Sequence, residues 1–224
     1  RLPLKKAAKI IHGDALETDW ENVVSKNDLS YIIGNPPFIG SKIMSQFQRD
    51  QIVREFENIK GSGVLDYVTG WYLKAAKYIE NTKIKVAFVS TNSIVQGEQT
   101  SILWGQMLNK YGIKIHFAHR TFKWSNEAKG NAAVYCVIIG FANFDTSTKR
   151  IFDYEDIKGE AHEIKAKNIN PFLVEGKDIT IENRKSPISN VPEIVYGSFA
   201  LDDGTSVLMM GTTQTALANG DYTV

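Results

Sequence analysis

The sequence predicts an α/β fold, a doubly wound sheet that ends in a hairpin of two consecutive strands. Two observations favour this fold. Short runs of apolar β-formers alternate with stretches of helical periodicity up to residue 111. Two strands then follow each other, at 112–119 and 131–142, with no helix between them. The chain has 224 residues, 43% of them hydrophobic, which is enough for one large domain with the start of a second.

The elements of the first part are predicted from local patterns. Residues 8–13 are typical of the end of a strand, and 29–34 are apolar enough for a strand covered on both faces. The apolar residues of 41–57 do not form one stripe, so two short helical pieces are expected there. Residues 64–80 indicate one helix, whose apolar face consists of Val64, Val68, Trp71, Tyr72, Ala75 and Ile79.

The second part of the chain completes the sheet and then changes in texture. A strand is predicted at 84–91, a helix at 98–111 and a further β-hairpin at 149–165. Beyond Asn170 the helical period disappears and prolines accumulate. We therefore predict one domain over 1–168, and a linker with the beginning of another region over 169–224.

Composition excludes several classes of protein. No apolar run approaches the ~18 residues of a membrane span, and no apolar segment follows the basic N-terminal residues as in a secretory signal. The single cysteine, Cys136, lies in an apolar strand, which indicates a buried structural thiol and a reducing, cytoplasmic compartment. The four histidines show no metal-ligand spacing, so no metal site is expected. The net charge of +1 leaves any DNA-binding surface to local clusters.

The strand at 29–34 ends on Asn35-Pro36-Pro37-Phe38. A residue before proline is pushed out of the α region, and proline fixes its own φ, so the segment is stiff and extended. It lies at the carboxyl end of a strand, where open α/β sheets bind ligands. The Asn35 side-chain oxygen and the Pro36 carbonyl would hold the amino group of a flat base beside the Phe38 ring. The alternative is a strand that is ended by prolines and followed by a loop.

Several blocks of sequence resemble one enzyme family. The Asn-Pro-Pro-Phe motif is similar to the catalytic motif of amino-methyltransferases that use S-adenosylmethionine, chiefly DNA adenine-N6 enzymes. GNPPFIGSKIMSQFQR, DYVTGWYLKAAKYI, VAFVSTNSIVQGEQTSILW and IHFAHRTFKWSNEAKGNAAVYCVIIGF resemble the methyltransferase region of MmeI-like (type IIG/IIL) restriction–modification enzymes. The resemblance runs from about His12 to Gly204. It implies a Rossmann-like class I methyltransferase sheet, S-adenosylmethionine as cofactor and double-stranded DNA as partner.

The resemblance also implies roles for individual residues. The acid of Gly-Asp-Ala-Leu would contact the adenine moiety of the cofactor, and its two neighbours would line that site. The asparagine and first proline of the catalytic motif would bind the target amino group, and the phenylalanine would stack on a base flipped out of the duplex. The candidate catalytic residues are Asn35, Pro36, Pro37 and Phe38, and the candidate cofactor-binding residues are Asp14, Ala15, Leu16 and Asn35.

One family feature is missing from the sequence. The glycine-rich cofactor motif after the family's first strand has no counterpart, because Gly61-Ser62-Gly63 has no strand before it. We expect that motif, with the N-terminal strands, upstream of Arg1 in a longer protein, and we expect the isolated chain to be inactive. The absent first strand would pair with the strand at 29–34. The isolated chain is therefore expected to cover that edge by dimerisation, strand exchange or disorder.

Candidate DNA contacts come from three places. Cations and aromatic rings alternate over 114–130, a pattern suited to phosphates and bases, in a segment expected to join two strands near Asn35. The alternative for this segment is a solvated loop with one or two rings in the core. A Gly-Ser-Lys stretch follows the catalytic motif, and the tail resembles the family's passage into its target-recognition region. The candidate DNA-binding residues are Gly40, Ser41, Lys42, Arg120, Phe122, Lys123, Trp124, Arg184 and Lys185.

Two smaller patterns have competing interpretations. Ser90, Thr91 and Asn92 end the strand predicted at 84–91, where they would either shape the pocket or cap the next helix. Asp153 with Glu163-Ile164-Lys165 imitates the acid and Glu-x-Lys pattern of restriction nucleases, but it falls on a predicted hairpin where alternating polarity is expected. In the family the nuclease lies far upstream, outside this chain.

The sequence therefore predicts part of a site-specific DNA methyltransferase within a single-chain restriction–modification enzyme. It would transfer a methyl group from S-adenosylmethionine to the N6 amino group of adenine in duplex DNA, by base flipping. Two alternatives stay open. One is an Asn-Pro-Pro methyltransferase that acts on protein glutamine or RNA guanine, and the other is a non-catalytic DNA-binding module of the same fold.

Overall fold

The computed structural model describes residues 8–124, 134–157, 159–181 and 189–190. Six strands form one mixed sheet: β1 (Tyr31–Gly34), β2 (Lys85–Thr91), β3 (Lys114–Trp124), β4 (Val134–Ala142), β5 (Lys149–Asp153) and β6 (His162–Ala166). Within these ranges three α-helices accompany them: α1 (Gln46–Glu55), α2 (Thr69–Tyr78) and α3 (Gly97–Gly105), the last extended by the π-helical segment Gln106–Lys110. The predicted α/β class is confirmed.

The sheet has the order β1-β2-β4-β3-β5-β6. β1 and β2 are parallel, whereas β4 is antiparallel to both of its neighbours, β2 and β3. The two consecutive strands β3 and β4 thus form the predicted hairpin, with β4 inserted between β2 and β3. Because β1, β2 and β3 all run in one direction, Gly34, Thr91 and Trp124 end at the same edge of the sheet.

A cluster of aromatic rings joins the helices to the sheet. Tyr72 of α2 stacks on Phe141 of β4 with 5.5 Å between ring centroids, and meets Phe88 and Trp104 edge-on at 5.3 and 6.2 Å. All four side chains are almost fully buried. Burial of each ring stabilises the fold by roughly 1.5–3 kcal/mol, so this cluster is a major link between α2, α3 and the central strands.

Several element boundaries differ from the sequence expectations. Residues 8–13 form no strand, since Ile10 is 88% exposed and no described strand pairs with this segment. Instead of two helical pieces, 41–57 contains one helix, α1, whose start is fixed by a capping box between Ser45 and Gln48. The helix expected at 64–80 begins only at Thr69, because Leu65 is extended and the Asp66 carbonyl accepts the Thr69 amide.

Among the described strands, β1 is an edge of the sheet. It was expected to be covered on both faces, but Tyr31 and Ile33 are 62% and 82% exposed. That expectation was wrong for the described chain, because β1 pairs only with β2 and no other described element covers the side chains of Tyr31 and Ile33. Dimerisation or strand exchange at this edge stays a prediction.

The chain divides into two compact units, Arg1–Glu182 and Asn183–Val224, and all six strands belong to the first. The separation of a methyltransferase domain from a recognition region at 168/169 stays a prediction. Within the described ranges, the structure contains no helix with the length and apolar character needed to cross a membrane.

Substitution of Gly140 tests the packing of β4 against β3. A Cβ atom at this position of β4 would lie 2.0 Å from Cε1 of Phe117 on β3. Gly140→Ala would displace that ring, and we expect it to lower the free energy of unfolding by about 1–3 kcal/mol, measured by urea denaturation. The matched control is Gly105→Ala in α3, where the added methyl meets no atom within 4 Å and raises helix propensity. Equal stability of the two variants would contradict this account of the packing.

Candidate active site

The Asn-Pro-Pro-Phe segment leaves β1 at the edge of the sheet where β2 and β3 also end. Gly34 closes β1, and a Cβ atom there would come within 3.0 Å of the Phe88 ring, so the strand approaches β2 too closely for a larger residue. Pro36 is buried, whereas Asn35 is exposed and Phe38 is half-buried. The segment is therefore anchored by its first proline and presents the asparagine side chain outward.

The loop after this segment is held by one dipeptide, Asp66-Tyr67. The Tyr67 backbone amide donates to the Ile39 carbonyl at 2.9 Å, and the Ser41 amide donates to Oδ1 of Asp66 at 2.9 Å. Within the loop, the Ile43 amide donates to the Gly40 carbonyl at 3.0 Å. These bonds fix the chain directly after the four catalytic candidates.

Asp66 connects this loop to two further elements. Its side chain is buried, and its second oxygen accepts from Ser93 Oγ at 2.5 Å, just beyond the end of β2. Its backbone amide donates to Oε1 of Gln99 in α3 at 2.9 Å. Asp66 is not among the residues predicted from the sequence, although an acid inside the apolar run VLDYV is a usable signal.

Asp14 is fixed in a tight turn, with part of its carboxylate open to solvent. Oδ1 accepts the Leu16 amide at 2.8 Å and Oδ2 accepts Nε2 of Gln51 at 2.9 Å. Burial raises the pKa of Asp14, but the hydrogen bond from Gln51, those from the backbone amides of Leu16 and Glu17 and the charge of Lys74 together outweigh it. The net pKa is lowered, so Asp14 is an ionised acceptor at neutral pH.

The two neighbours of Asp14 face different surroundings. The Leu16 side chain is buried against Gly70 of α2, its amide donates to Asp14 and its carbonyl accepts from Lys74, so Leu16 helps to hold the turn. Ala15 is half-buried and lines a cavity of about 370 Å³ whose other walls include Trp20, Val23 and Ile33. The turn therefore combines an exposed anionic acceptor with an adjacent apolar wall.

Gln51 and Tyr67 form a hydrogen-bonded group with Asp14 and Glu17 that sequence analysis did not find. Gln51 is 3% exposed, donates to both carboxylates and accepts from the Tyr67 hydroxyl at 2.6 Å. Burial and the negative charges of Asp14 and Glu17 raise the pKa of Tyr67 to about 12, so this hydroxyl is a neutral donor. No local signal marked Gln51, because it lies in the polar helix QFQRDQ.

The aromatic and basic candidates of 120–124 lie on β3, not on a loop. β3 continues to Trp124 because Phe122, Lys123 and Trp124 pair with β4 after a register shift beyond His119. Arg120, at the shift, forms an ion pair with Asp153 at 3.0 Å. The expectation of a loop was wrong because the strand continues through an irregularity, a feature that local periodicity does not reveal.

The end of β3 forms a partly exposed aromatic surface. The Phe122 ring lies 5.4 Å from the Tyr154 ring and 6.2 Å from the Trp124 ring, and Trp124 is 42% exposed. Lys123 is half-buried, and its backbone amide donates to Ile157. At about 4.8 Å per strand, three strand spacings separate β3 from β1 laterally by roughly 14 Å. Gly34 is level with Ala118 through Phe88 and Ile139, so Trp124 projects further along the sheet than the end of β1 does.

The other candidates occupy varied positions. Lys42 is exposed, Ser41 contacts Asp66 through its amide, and Gly40 follows the catalytic segment directly. Ser90 is buried with its hydroxyl 2.9 Å from the Tyr72 hydroxyl, so it belongs to the core and not to a pocket. Thr91 contacts Ser93 at 2.8 Å, at the start of a 3₁₀ turn over Asn92–Val95. Arg184 and Lys185 lie outside the described residues.

Alternative chemistries find little support in the described residues. Cys136 is fully buried, and burial raises the pKa of its thiol to about 11. Asp153 pairs with Arg120, and Glu163 lies 4.0 Å from Arg150 across the β5–β6 hairpin, as expected for a hairpin surface. No three His, Cys, Asp or Glu side chains of the described residues meet as a metal site would require.

Comparisons with known proteins agree on one family. Residues 1–153 match the family model described as the MmeI DNA-methyltransferase domain. DNA methyltransferase A of Bacillus subtilis (strain 168) is 39% identical over 205 residues, which is 91% of this chain and 23% of that protein. The type IIL restriction–modification enzyme MmeI, solved in complex with DNA, is 50% identical with a TM-score of 0.83, over 88% of this chain and 26% of that one. The chain thus spans about a quarter of these relatives.

The role of Asp66 is testable without any assay of activity. Asp66→Ala removes the acceptor of the Ser41 amide and of the Ser93 hydroxyl, and we expect a loss of about 1–3 kcal/mol of stability with much faster hydrogen exchange at Ser41. Asp66→Asn is the matched control, because an amide can still accept from Ser41 and donate to Ser93. Unchanged exchange at Ser41 in Asp66→Ala would show that other contacts hold the loop.

Proposed function

The chain belongs to the MmeI DNA-methyltransferase domain family, and we propose that it holds the target adenine and part of the cofactor in an adenine-N6 methyltransferase. Membership confirms the resemblance to MmeI-like enzymes, and the mixed sheet has the class I methyltransferase type of fold. The observation that carries the proposal is the Asn35-Pro36-Pro37-Phe38 segment at the carboxyl edge of the sheet, with Pro36 buried and Asn35 exposed.

The target amino group would bind to two neutral acceptors. The side-chain oxygen of Asn35 and the carbonyl oxygen of Pro36 would each accept one N–H bond of the exocyclic amino group, which leaves the nitrogen lone pair free to attack. Positive charge develops on that nitrogen during transfer, and fixed acceptors stabilise it without rearrangement. Phe38 would stack on the extruded base, and Pro37 keeps the segment extended.

The chain fits the role of a partial cofactor site. Asp14 is ionised and partly exposed, and it would accept from the adenine amino group of the cofactor, with Ala15 as an apolar wall and Leu16 holding the turn beside it. S-adenosylmethionine supplies an electrophilic methyl group when bound. Asn35 would face both ligands. The glycine-rich part of the site would come from a segment outside this chain, next to β1, and the isolated chain would be inactive.

DNA would lie along the edge that carries Asn35. Lys42 and Lys123 would bind phosphates, Phe122 and Trp124 would contact bases, and Arg120 would join them only if its ion pair with Asp153 opens. Gly40 and Ser41 would bring the loop close to the backbone, and Arg184 and Lys185 would contact it from the recognition region. The whole protein would be a single-chain restriction–modification enzyme that acts in the cytoplasm.

Asn35→Ala in the full-length protein tests the amino-group clamp. We expect kcat for methylation of duplex DNA to fall by about 10²–10³-fold, with DNA affinity unchanged, because the acceptor is lost but the phosphate contacts remain. Mass spectrometry of the digested DNA identifies the methylated base. The matched control is Asn27→Ala, an exposed asparagine at the opposite end of β1.

The same methylation experiment gives a different result for each alternative function. Wild-type protein that binds DNA but never transfers a methyl group would favour a non-catalytic module. Methyl transfer to RNA or to protein glutamine, but not to duplex DNA, would replace the DNA substrate. Methylcytosine as the product would retain the mechanism and overturn the choice of adenine.

Lys123 and Trp124 test the proposed DNA edge. Lys123→Ala should weaken DNA binding for all sequences and reduce the slope of log K against log salt by about 1. Trp124→Ala should weaken binding by roughly 1–3 kcal/mol if the ring stacks on a base, with little change in the salt slope. Lys83→Ala is the control, because this exposed lysine precedes β2 at the opposite edge of the sheet. An effect of Lys83→Ala equal to that of Lys123→Ala would contradict the proposed edge.

A further inference from the structure

We propose that Gln51 is a positioning residue that sets the Asp14 carboxylate for the cofactor and, through Tyr67, joins it to the loop that follows Asn-Pro-Pro-Phe. The two ligand sites would then be parts of one hydrogen-bonded unit. This inference rests on the proposed function, since it assigns to Asp14 a contact with S-adenosylmethionine.

The chemistry of its partners defines the orientation of the Gln51 amide. Nε2 lies 2.9 Å from Oδ2 of Asp14 and 2.8 Å from Oε1 of Glu17, and ionised carboxylates only accept hydrogen bonds. The Tyr67 hydroxyl lies 2.6 Å from Oε1 and donates to it, and its pKa is raised to about 12, so it stays protonated well above neutral pH. A flipped amide would place its oxygen against two anions, so only the observed orientation satisfies all three partners.

Gln51 is buried, whereas Asp14, the residue that it orients, is exposed. Gln51 is 3% exposed and lies on α1, whereas Asp14 lies in an exposed turn. The Leu16 amide holds one oxygen of Asp14, and Gln51 holds the other. The carboxylate is thus fixed from within the protein while its remaining lone pairs stay open to a ligand, an arrangement that avoids the entropy loss of ordering it on binding.

Tyr67 continues the connection toward the target base. Its side chain donates to Gln51, and its backbone amide donates to the Ile39 carbonyl at 2.9 Å, one residue after Phe38. A single residue therefore contacts both the group that orients Asp14 and the loop that carries the amino-group clamp. A displacement of the loop after Phe38 would therefore also shift Gln51 and the Asp14 carboxylate.

Gln51→Leu in the full-length protein removes the amide at nearly constant volume. We expect the Kd for S-adenosylmethionine, measured by calorimetry without DNA, to rise at least about tenfold, since hydrogen bonds to charged groups are lost. The Kd for duplex DNA should change less than twofold. Gln46→Leu is the matched control, because Gln46 is exposed on the same helix and contacts Asp50 instead of Asp14.

Two variants show whether Gln51 acts through Asp14. In an Asp14→Ala background, Gln51→Leu should cause no further loss of cofactor affinity. Tyr67→Phe keeps the ring but releases the Gln51 amide, so it should weaken cofactor binding less than Gln51→Leu does, and the double variant should be no worse than Gln51→Leu. Tyr67→Phe also keeps the test valid if Gln51→Leu does not fold.

The outcomes separate this inference from the proposed function. Wild-type protein that binds no S-adenosylmethionine would overturn both. Wild-type binding with equal Kd values in Gln51→Leu and Gln46→Leu would overturn the positioning role alone. A full additional loss in the Asp14→Ala background, or parallel losses of DNA affinity and melting temperature, would show a general structural role and would also overturn it.

Discussion

The structure of the site depends on the hydrogen bonds from Asp66-Tyr67 to the loop after Phe38. Pro36 and Pro37 carry no N–H donors, so β1 cannot continue its ladder with β2 beyond Gly34. A chain that leaves a sheet in this way needs anchors from elsewhere, and the Asp66 carboxylate and the Tyr67 amide supply them. Because Asp66 is buried and also binds Ser93, the anchor is attached to the turn that directly follows β2, the neighbouring strand.

The same dipeptide reaches the second half of the site. The Tyr67 side chain binds Gln51, which binds Asp14, so side chains from α1 and from the turn at Asp14 meet in one polar group beside the core. Buried polar groups stabilise a unique arrangement only when each is satisfied. Gln51 meets that condition with three partners of unambiguous chemistry. Rigidity is the property that an amino-group clamp needs, because its rate advantage comes from acceptors that are already in place.

The mixed part of the sheet decides which surface lies at the same edge as Asn-Pro-Pro-Phe. Insertion of β4 between β2 and β3 brings the carboxyl end of β3 to the edge that carries Asn35. The irregularity after His119 lets β3 continue to Trp124, while Arg120 pairs with Asp153 of β5. A cation that appears free in the sequence is thus already neutralised, and the exposed Trp124 and the neighbouring Lys123 are left as the stronger candidates for contact with DNA.

Patterns among neighbouring residues predicted several features of this protein from its sequence. Alternating strand and helix patterns predicted the α/β class, the proline pair located the end of β1, and the apolar setting of Cys136 predicted a buried thiol. The sequence could not show that Tyr31 and Ile33 are exposed, that Arg120 pairs with Asp153, or that Gln51 is buried between Asp14 and Tyr67. The last two facts depend on contacts between residues 16 to 37 positions apart, as the bonds of Gln51 to Tyr67 and Asp14 illustrate. Backbone restrictions act on neighbours and can be read in order, whereas burial and pairing are decided only when distant segments pack together.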